Sequence, residues 1–317
     1  MPELGYTLSS EEHSPNDLVR NARAAEDAGF EFLSVSDHFH PWVDAQGESP
    51  FVWSVIGAVA NATDRIRLGT GVTCPTIRIH PAIVAQAAAT SQVMMDGRFY
   101  LGVGTGEELN EHVVGARWPG PQERLEMLEE AIEVLRLLWQ GGYQSHYGEH
   151  YTVEQAQIFT LPDEPLPIHV AAAQPHAAQL AGRLGDALIT TSPDEDLKGE
   201  FEDAGGAGKP CYGQLDVCYA ETEEEGRRIA REIWPNSAMG GPLGQELAIT
   251  SHYEAVAELV TEEQVGESVI CGPDPEQHLE AIREYDEAGF THVFVHQIGP
   301  DQDAFIRFYA EQVLPGL

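Results

Sequence analysis

Short apolar runs alternate with amphipathic stretches along the chain, the pattern of parallel strands joined by helices. The runs LGYTL (4–8), EFLSVS (31–36), IRLGTGV (66–72) and FYLGVG (99–104) read as strands, and 168–172, 187–191, 212–219 and 292–296 continue the series. Between them the 3.6-residue period predicts helices over 15–28, 51–62, 81–95 and 121–139. Pro15 opens the first and Gly29 closes it, Pro81 opens the third, and Gly141-Gly142 end the fourth. Eight strands separated by helices over 317 residues predict a (β/α)8 TIM barrel, read as one domain over 1–317. RAAEDAGFEFLSVSD near the start echoes REYDEAGFTHVFVHQ near the end, each an acidic helix closing on Ala-Gly-Phe and running into a strand. Segments 142–166 and 222–262 exceed simple connections and are expected as insertions around the barrel mouth.

Composition changes this picture mainly through charge. The chain carries 52 acidic residues against 17 basic ones, a net charge of −35, and Lys198 and Lys209 are its only lysines. A dense carboxylate surface poor in lysine points to a high-salt cytoplasm, where screening weakens self-repulsion. It also lacks the basic footprint that nucleic acid requires. Cys74, Cys211, Cys218 and Cys271 stand far apart and are expected as free thiols. The start MPELGYTLSSEE has no apolar core of a signal peptide, and no window reaches 18 apolar residues. These features read as a soluble cytoplasmic protein without a membrane partner.

In a barrel, chemistry sits at the C-terminal ends of the strands. There the second strand carries Asp37-His38-Phe39-His40-Pro41-Trp42, the third Gly71-Val72-Thr73, and the fourth Gly104-Thr105-Gly106-Glu107 with Asn110 behind. The fifth ends in Ala171-Ala172-Ala173-Gln174, the sixth in Thr190-Thr191-Ser192 and the last in His296-Gln297. Small residues at such ends let a flat ligand approach the main chain. Strand alternation places His38 and His40 on one face. Three readings stay open for the cluster: a general base beside an orienting carboxylate, a hydrogen-bonded strand end, or a metal site of His38, His40 and His296 as in barrel hydrolases. The metal reading is short of ligands, because the other strand ends carry Gly, Ala and Thr. GVGTGE (102–107) has Glu107 where a dinucleotide fingerprint needs its third glycine.

With these residues placed, the chain resembles the luciferase-like superfamily, and within it the glucose-6-phosphate dehydrogenase group that depends on coenzyme F420, a deazaflavin. The resemblance spans nearly the whole chain through SDHFHPW (36–42), LGTGVTCPTIRIHPAIVAQAAAT (68–90), GRFYLGVGTGEELNE (97–111) and AGRLGDALITTS (181–192). It implies a homodimer with F420 as cofactor, or FMN if the chain is instead a luciferase-like monooxygenase. It implies that His38 is the base, Glu107 the acid and Trp42 a cover over the reacting centre. Asp37, Gly71, Val72, Thr73, Gly106, Asn110, Ala171, Ala172, Ala173 and Gln174 would hold the cofactor. His40, Thr191 and His296 would take the substrate side. Gly71-Val72 falls where the family has a cis peptide, with glycine for the usual serine. Relatives that use a sugar phosphate follow the threonine, here Thr191, with a lysine three positions on. Asp194 stands there, and Glu267 stands near another expected lysine. Carboxylates in place of cations repel a phosphate dianion, so the expected substrate is an alcohol, a neutral sugar or the matching carbonyl. A chain that kept the cofactor site and lost its substrate pocket is the non-enzymatic alternative.

Overall fold

The computed structural model describes all 317 residues. Eight parallel strands close a barrel: β1 (Glu3–Leu8), β2 (Phe32–Val35), β3 (Arg67–Thr70), β4 (Phe99–Val103), β5 (Ile168–Ala171), β6 (Ala187–Thr190), β7 (Cys211–Cys218) and β8 (His292–Gln297). Each pairs with its sequence neighbour, and β8 returns to β1 with Tyr6 opposite Val295. The expected (β/α)8 barrel is therefore the observed architecture.

The strands are buried on both faces, which is why they read as continuous apolar runs rather than alternating ones. Their outward side chains join the helices in a core of 58 buried residues. Inside the barrel, Phe32, Tyr100, Ala187, Ile189, Tyr212 and Phe294 form a separate plug. Tyr100 stacks on His169 at 4.4 Å, and Tyr212 stacks on His292 at 4.0 Å. Gly69 faces this plug, and the Tyr100 ring fills the space its side chain would take. The plug seals the lower half of the barrel, so any ligand must enter from the C-terminal mouth.

Predicted and observed boundaries agree closely, with one consequential exception. β2 ends at Val35, so residues 36–42 form an irregular loop. Ser36 leaves the ladder because its hydroxyl accepts from Ser10 N at 3.0 Å and donates to Glu11 Oε2 at 2.7 Å. Segment 142–166 contains an antiparallel hairpin, Gln144–Tyr147 with Thr152–Ala156. Segment 222–262 begins with the helix Glu223–Ile233, capped by Thr222, whose apolar side packs near β7. The short helices that follow, Pro235–Ala238, Leu243–Glu246 and Thr250–Ala257, bring Met239 and Tyr253 to the mouth. The four cysteines are unpaired and buried. No helix is long and apolar enough to cross a membrane.

Candidate active site

A cavity of about 1040 Å³ opens at the C-terminal ends of the strands. One wall is built from residues with little or no side chain: Gly71, Gly104, Gly106, Ala171, Ala172 and Ala173. The Gly71–Val72 peptide is cis, as in the family. At Gly71 the Ser34 Oγ occupies the space that a Cβ would take, so a larger residue there needs the Ser34 hydroxyl to turn away. Gly106 has φ of 76°, the left-handed region that favours glycine. Beside this wall the helix Pro175–Leu184 starts at Gln174, whose side chain does not cap it, so the first turn faces the cavity without an internal acceptor.

His38 lines the same cavity, between two carboxylates. Its Nδ1 is 2.9 Å from Glu11 Oε1, and its Nε2 is 3.4 Å from Glu107 Oε2. Burial pushes the imidazolium down, but Glu11 and then Glu107 outweigh it and raise its pKa to about 9. Burial pushes the Glu11 carboxyl up, yet the His38 charge and the His38 and Ser36 hydrogen bonds hold it at about 2. Glu107 ends above the ordinary carboxylate range, because burial exceeds the opposing pull of His38 and Asn110. At neutral pH, His38 is therefore charged with Glu11 as its counter-ion, and Glu107 is the neighbouring carboxyl whose proton affinity is raised.

Asn110 ties the two sides together. Its Nδ2 donates to Glu107 Oε2 at 2.9 Å, while its Oδ1 accepts from the Phe39 and His40 amides at 2.8 and 3.1 Å. Trp42 meets the His38 ring edge-on at 5.3 Å and is braced by Tyr253 at 5.1 Å. Asp37 is on the cavity wall with both oxygens engaged: Oδ1 accepts from Arg78 Nη2 and Oδ2 from Thr73 Oγ1, each at 2.8 Å. Arg78 is held in turn by Glu111, which accepts from its backbone N at 2.6 Å.

Most of the expected site residues line one cavity: Asp37, His38, Trp42, Gly71, Val72, Gly106, Glu107, Asn110, Ala171 through Gln174, Thr191 and His296. Two are placed elsewhere. His40 turns away, with Nδ1 on Leu109 O at 3.0 Å and its ring stacked on His112. Strand alternation does not hold beyond Val35, so His38 and His40 part company. Thr73 is fully buried behind Asp37 and acts through it rather than on the wall. His296 reaches the cavity with both ring nitrogens occupied, by Asp216 at 2.9 Å and Glu12 at 3.1 Å, so it has no donor left for a substrate. These placements keep His38, His40 and His296 from converging, and no group of His, Cys, Asp or Glu is arranged to hold a metal ion.

Sequence reasoning missed Glu11, Asp216, Trp234, Tyr253 and Arg78. Glu11-Glu12 follow the end of β1, where the barrel rule already looks for chemistry, but among 52 acidic residues they do not stand out. Arg78 reaches Asp37 from a loop, and no local pattern marks it.

The fold and the cavity define a (β/α)8 barrel with an acid–base cluster facing a small-residue ledge. The model of the luciferase-like monooxygenase family matches residues 1–292, and the chain belongs to that family. An F420-dependent glucose-6-phosphate dehydrogenase from Beutenbergia cavernae is 37% identical over 100% of this chain and 98% of its own. One from Nakamurella multipartita is 36% identical over 99% and 96%. Among solved structures, an F420-dependent secondary alcohol dehydrogenase in complex with an F420–acetone adduct superposes with a TM-score of 0.92 at 29% identity, covering 99% of each chain. An F420-dependent tetrahydromethanopterin reductase from Methanopyrus kandleri shares the fold, with a TM-score of 0.82 at 22% identity and 99% of each chain covered.

Proposed function

We propose that this protein is an F420-dependent oxidoreductase that interconverts an unphosphorylated alcohol and its carbonyl. The observation that carries the reading is His38, poised between Glu11 and Glu107 in the cavity that the small-residue ledge also lines. The residues present fit the cofactor. Gly71, Val72, Gly106 and Ala171 through Ala173 leave room for a flat ring, and the uncapped helix start after Gln174 suits a phosphate. The Thr7 hydroxyl on the same cavity is buried without a partner, a group that a bound ring would satisfy. Bound there, F420 would carry the hydride to or from the substrate carbon.

The chain's own task is proton handling and orientation. Glu11 holds the Nδ1 side of His38 closely, whereas the Nε2 contact with Glu107 is long enough for a substrate oxygen to replace it. In the direction of the carbonyl, neutral Nε2 takes the hydroxyl proton. In the direction of the alcohol, the imidazolium gives it back. Glu107, with its raised pKa, is a second place to hold a proton next to the ledge. Trp42 and Tyr253 close the side of the site and keep the His38 ring in place.

The substrate end lacks the charges that a phosphate needs. Arg124 is the only lysine or arginine on the cavity wall, and it is paired with Glu246 at 3.0 Å. Lys198 does not line the cavity and pairs with Glu202 at 2.7 Å, while Asp194 caps the helix that follows it. Glu267 and Glu284 line the wall instead. The expected result is saturable binding of F420 and turnover of secondary alcohols, with glucose-6-phosphate a poor substrate. Titration with F420 and FMN followed by steady-state assays checks both halves. Preferential binding of FMN would contradict the cofactor, and micromolar KM for glucose-6-phosphate would contradict the substrate.

A further inference from the structure

His296 has no direct role in proton transfer as described above, yet it is buried at the cavity wall between two carboxylates. Glu12, on its Nε2 side, is itself fixed by the Gly299 amide at 2.8 Å and the Ser9 hydroxyl at 3.1 Å. Asp216, on its Nδ1 side, also accepts from Gln214 Nε2 at 2.7 Å. Both donors use the same oxygen, Oδ1. No protein donor reaches Oδ2, and the side chain keeps 21% of its surface open on the cavity wall. Asp216 thus presents one immobilised acceptor oxygen to whatever occupies the substrate end. Gln214, Thr191 and Ser192 share that part of the wall.

We propose that Asp216, positioned by His296 and Gln214, is the specificity-determining acceptor for a second hydroxyl next to the reacting one, so that vicinal diols and unphosphorylated sugars are the preferred substrates. The proposal rests on the alcohol–carbonyl reading above and narrows it. A fixed carboxylate oxygen forms a charge-assisted bond with a hydroxyl and loses little entropy in doing so. A phosphate is opposed by Asp216, Glu267 and Glu284 on the same wall. His38 and His296 each lie between two carboxylates, so they set no barrier to a cation, and the amino alcohol is the competing donor that the comparison must include. A neutral hydroxyl donates to the free Asp216 oxygen without carrying a charge into the cavity.

The test uses the full-length protein loaded with F420 and compares cyclohexanol, its vicinal diol and its vicinal amino alcohol. The diol is expected to exceed cyclohexanol in kcat/KM by about tenfold or more, the range of one charge-assisted hydrogen bond. In Asp216→Ala that ratio falls towards one through the KM of the diol. Asp216→Asn, whose oxygen stays with Gln214 and His296 while its Nδ2 turns a donor to the substrate, keeps the shape but loses the charge-assisted bond and most of the ratio. An unchanged ratio in both variants, no diol preference in the parent protein, or a preference for the amino alcohol would each overturn the proposal. If no alcohol or ketone is turned over at all, the reaction reading falls and takes this inference with it. Turnover without diol preference removes this inference alone.

Discussion

Replacing His38 with alanine is expected to lower kcat for alcohol oxidation by about 10³-fold, within the range for loss of a positioned general base. Two features of the site set that size. Nε2 of His38 is the ring nitrogen with only a long contact, so it is the atom available to a substrate hydroxyl. No other imidazole can substitute, since both nitrogens of His296 are taken by carboxylates and His40 points away. The substitution also strands Glu11, a carboxylate with 1% of its surface exposed. Removing one partner of a buried ion pair costs about 3–5 kcal/mol, so a lower melting temperature should accompany the loss of rate. His38→Gln, which keeps a donor near Glu11, should recover stability but little rate. Steady-state kinetics beside thermal melts separate the two effects, and a rate within threefold of the parent would remove His38 from the chemistry.

Exchanging Glu11 for glutamine should move the pH dependence. Glu11 is the strongest of the influences that raise His38, so without its charge the histidine falls from about 9 back towards its ordinary value. Oxidation needs neutral imidazole, so in the parent protein kcat/KM should climb with pH through a midpoint near 9 and level off above it. In Glu11→Gln that climb should lie about one to two pH units lower, the usual size of a close carboxylate's effect. Carbonyl reduction needs the imidazolium, and its decline with rising pH should move down by the same amount. The sign for stability follows from the same groups. The contribution of His38, whose folded pKa is raised, is full below its ordinary value of 6.5 and is lost as pH rises through about 9. The contribution of Glu11, whose folded pKa is depressed, is present above its ordinary value of 4.5 and is lost as pH falls through about 2. Profiles in both directions test the assignment, and coincident curves for parent and variant would contradict it.

The barrel was legible because its strands are buried on both faces and its helices carry clear end signals, as Pro15, Gly29 and Pro81 show. His38, Glu107 and Asn110 were legible because they follow strand ends directly. What lay hidden depended on where the regular geometry stops. His40 is misplaced by alternation because Ser36 turns to Ser10 and Glu11 and the strand ends at Val35. Thr73 stands behind Asp37, where its hydroxyl donates to the carboxylate, a side-chain contact that no spacing in the sequence marks. Glu11, Glu12 and Asp216 are three carboxylates among many, and only the partners His38 and His296 distinguish them. The carboxylate at Glu267 was visible in the sequence, whereas Glu284 reaches the same cavity from a helix that carried no such signal.

The central step of the proposed function is hydride transfer between an alcohol carbon and F420 with proton transfer to His38. Incubating the protein with F420 and a secondary alcohol deuterated at its carbinol carbon, then analysing the cofactor by mass spectrometry, measures this in one step. The expected result is reduced F420 carrying the deuterium and a ketone product. Unreduced F420 across the alcohol panel, or reduced F420 without deuterium, would contradict it.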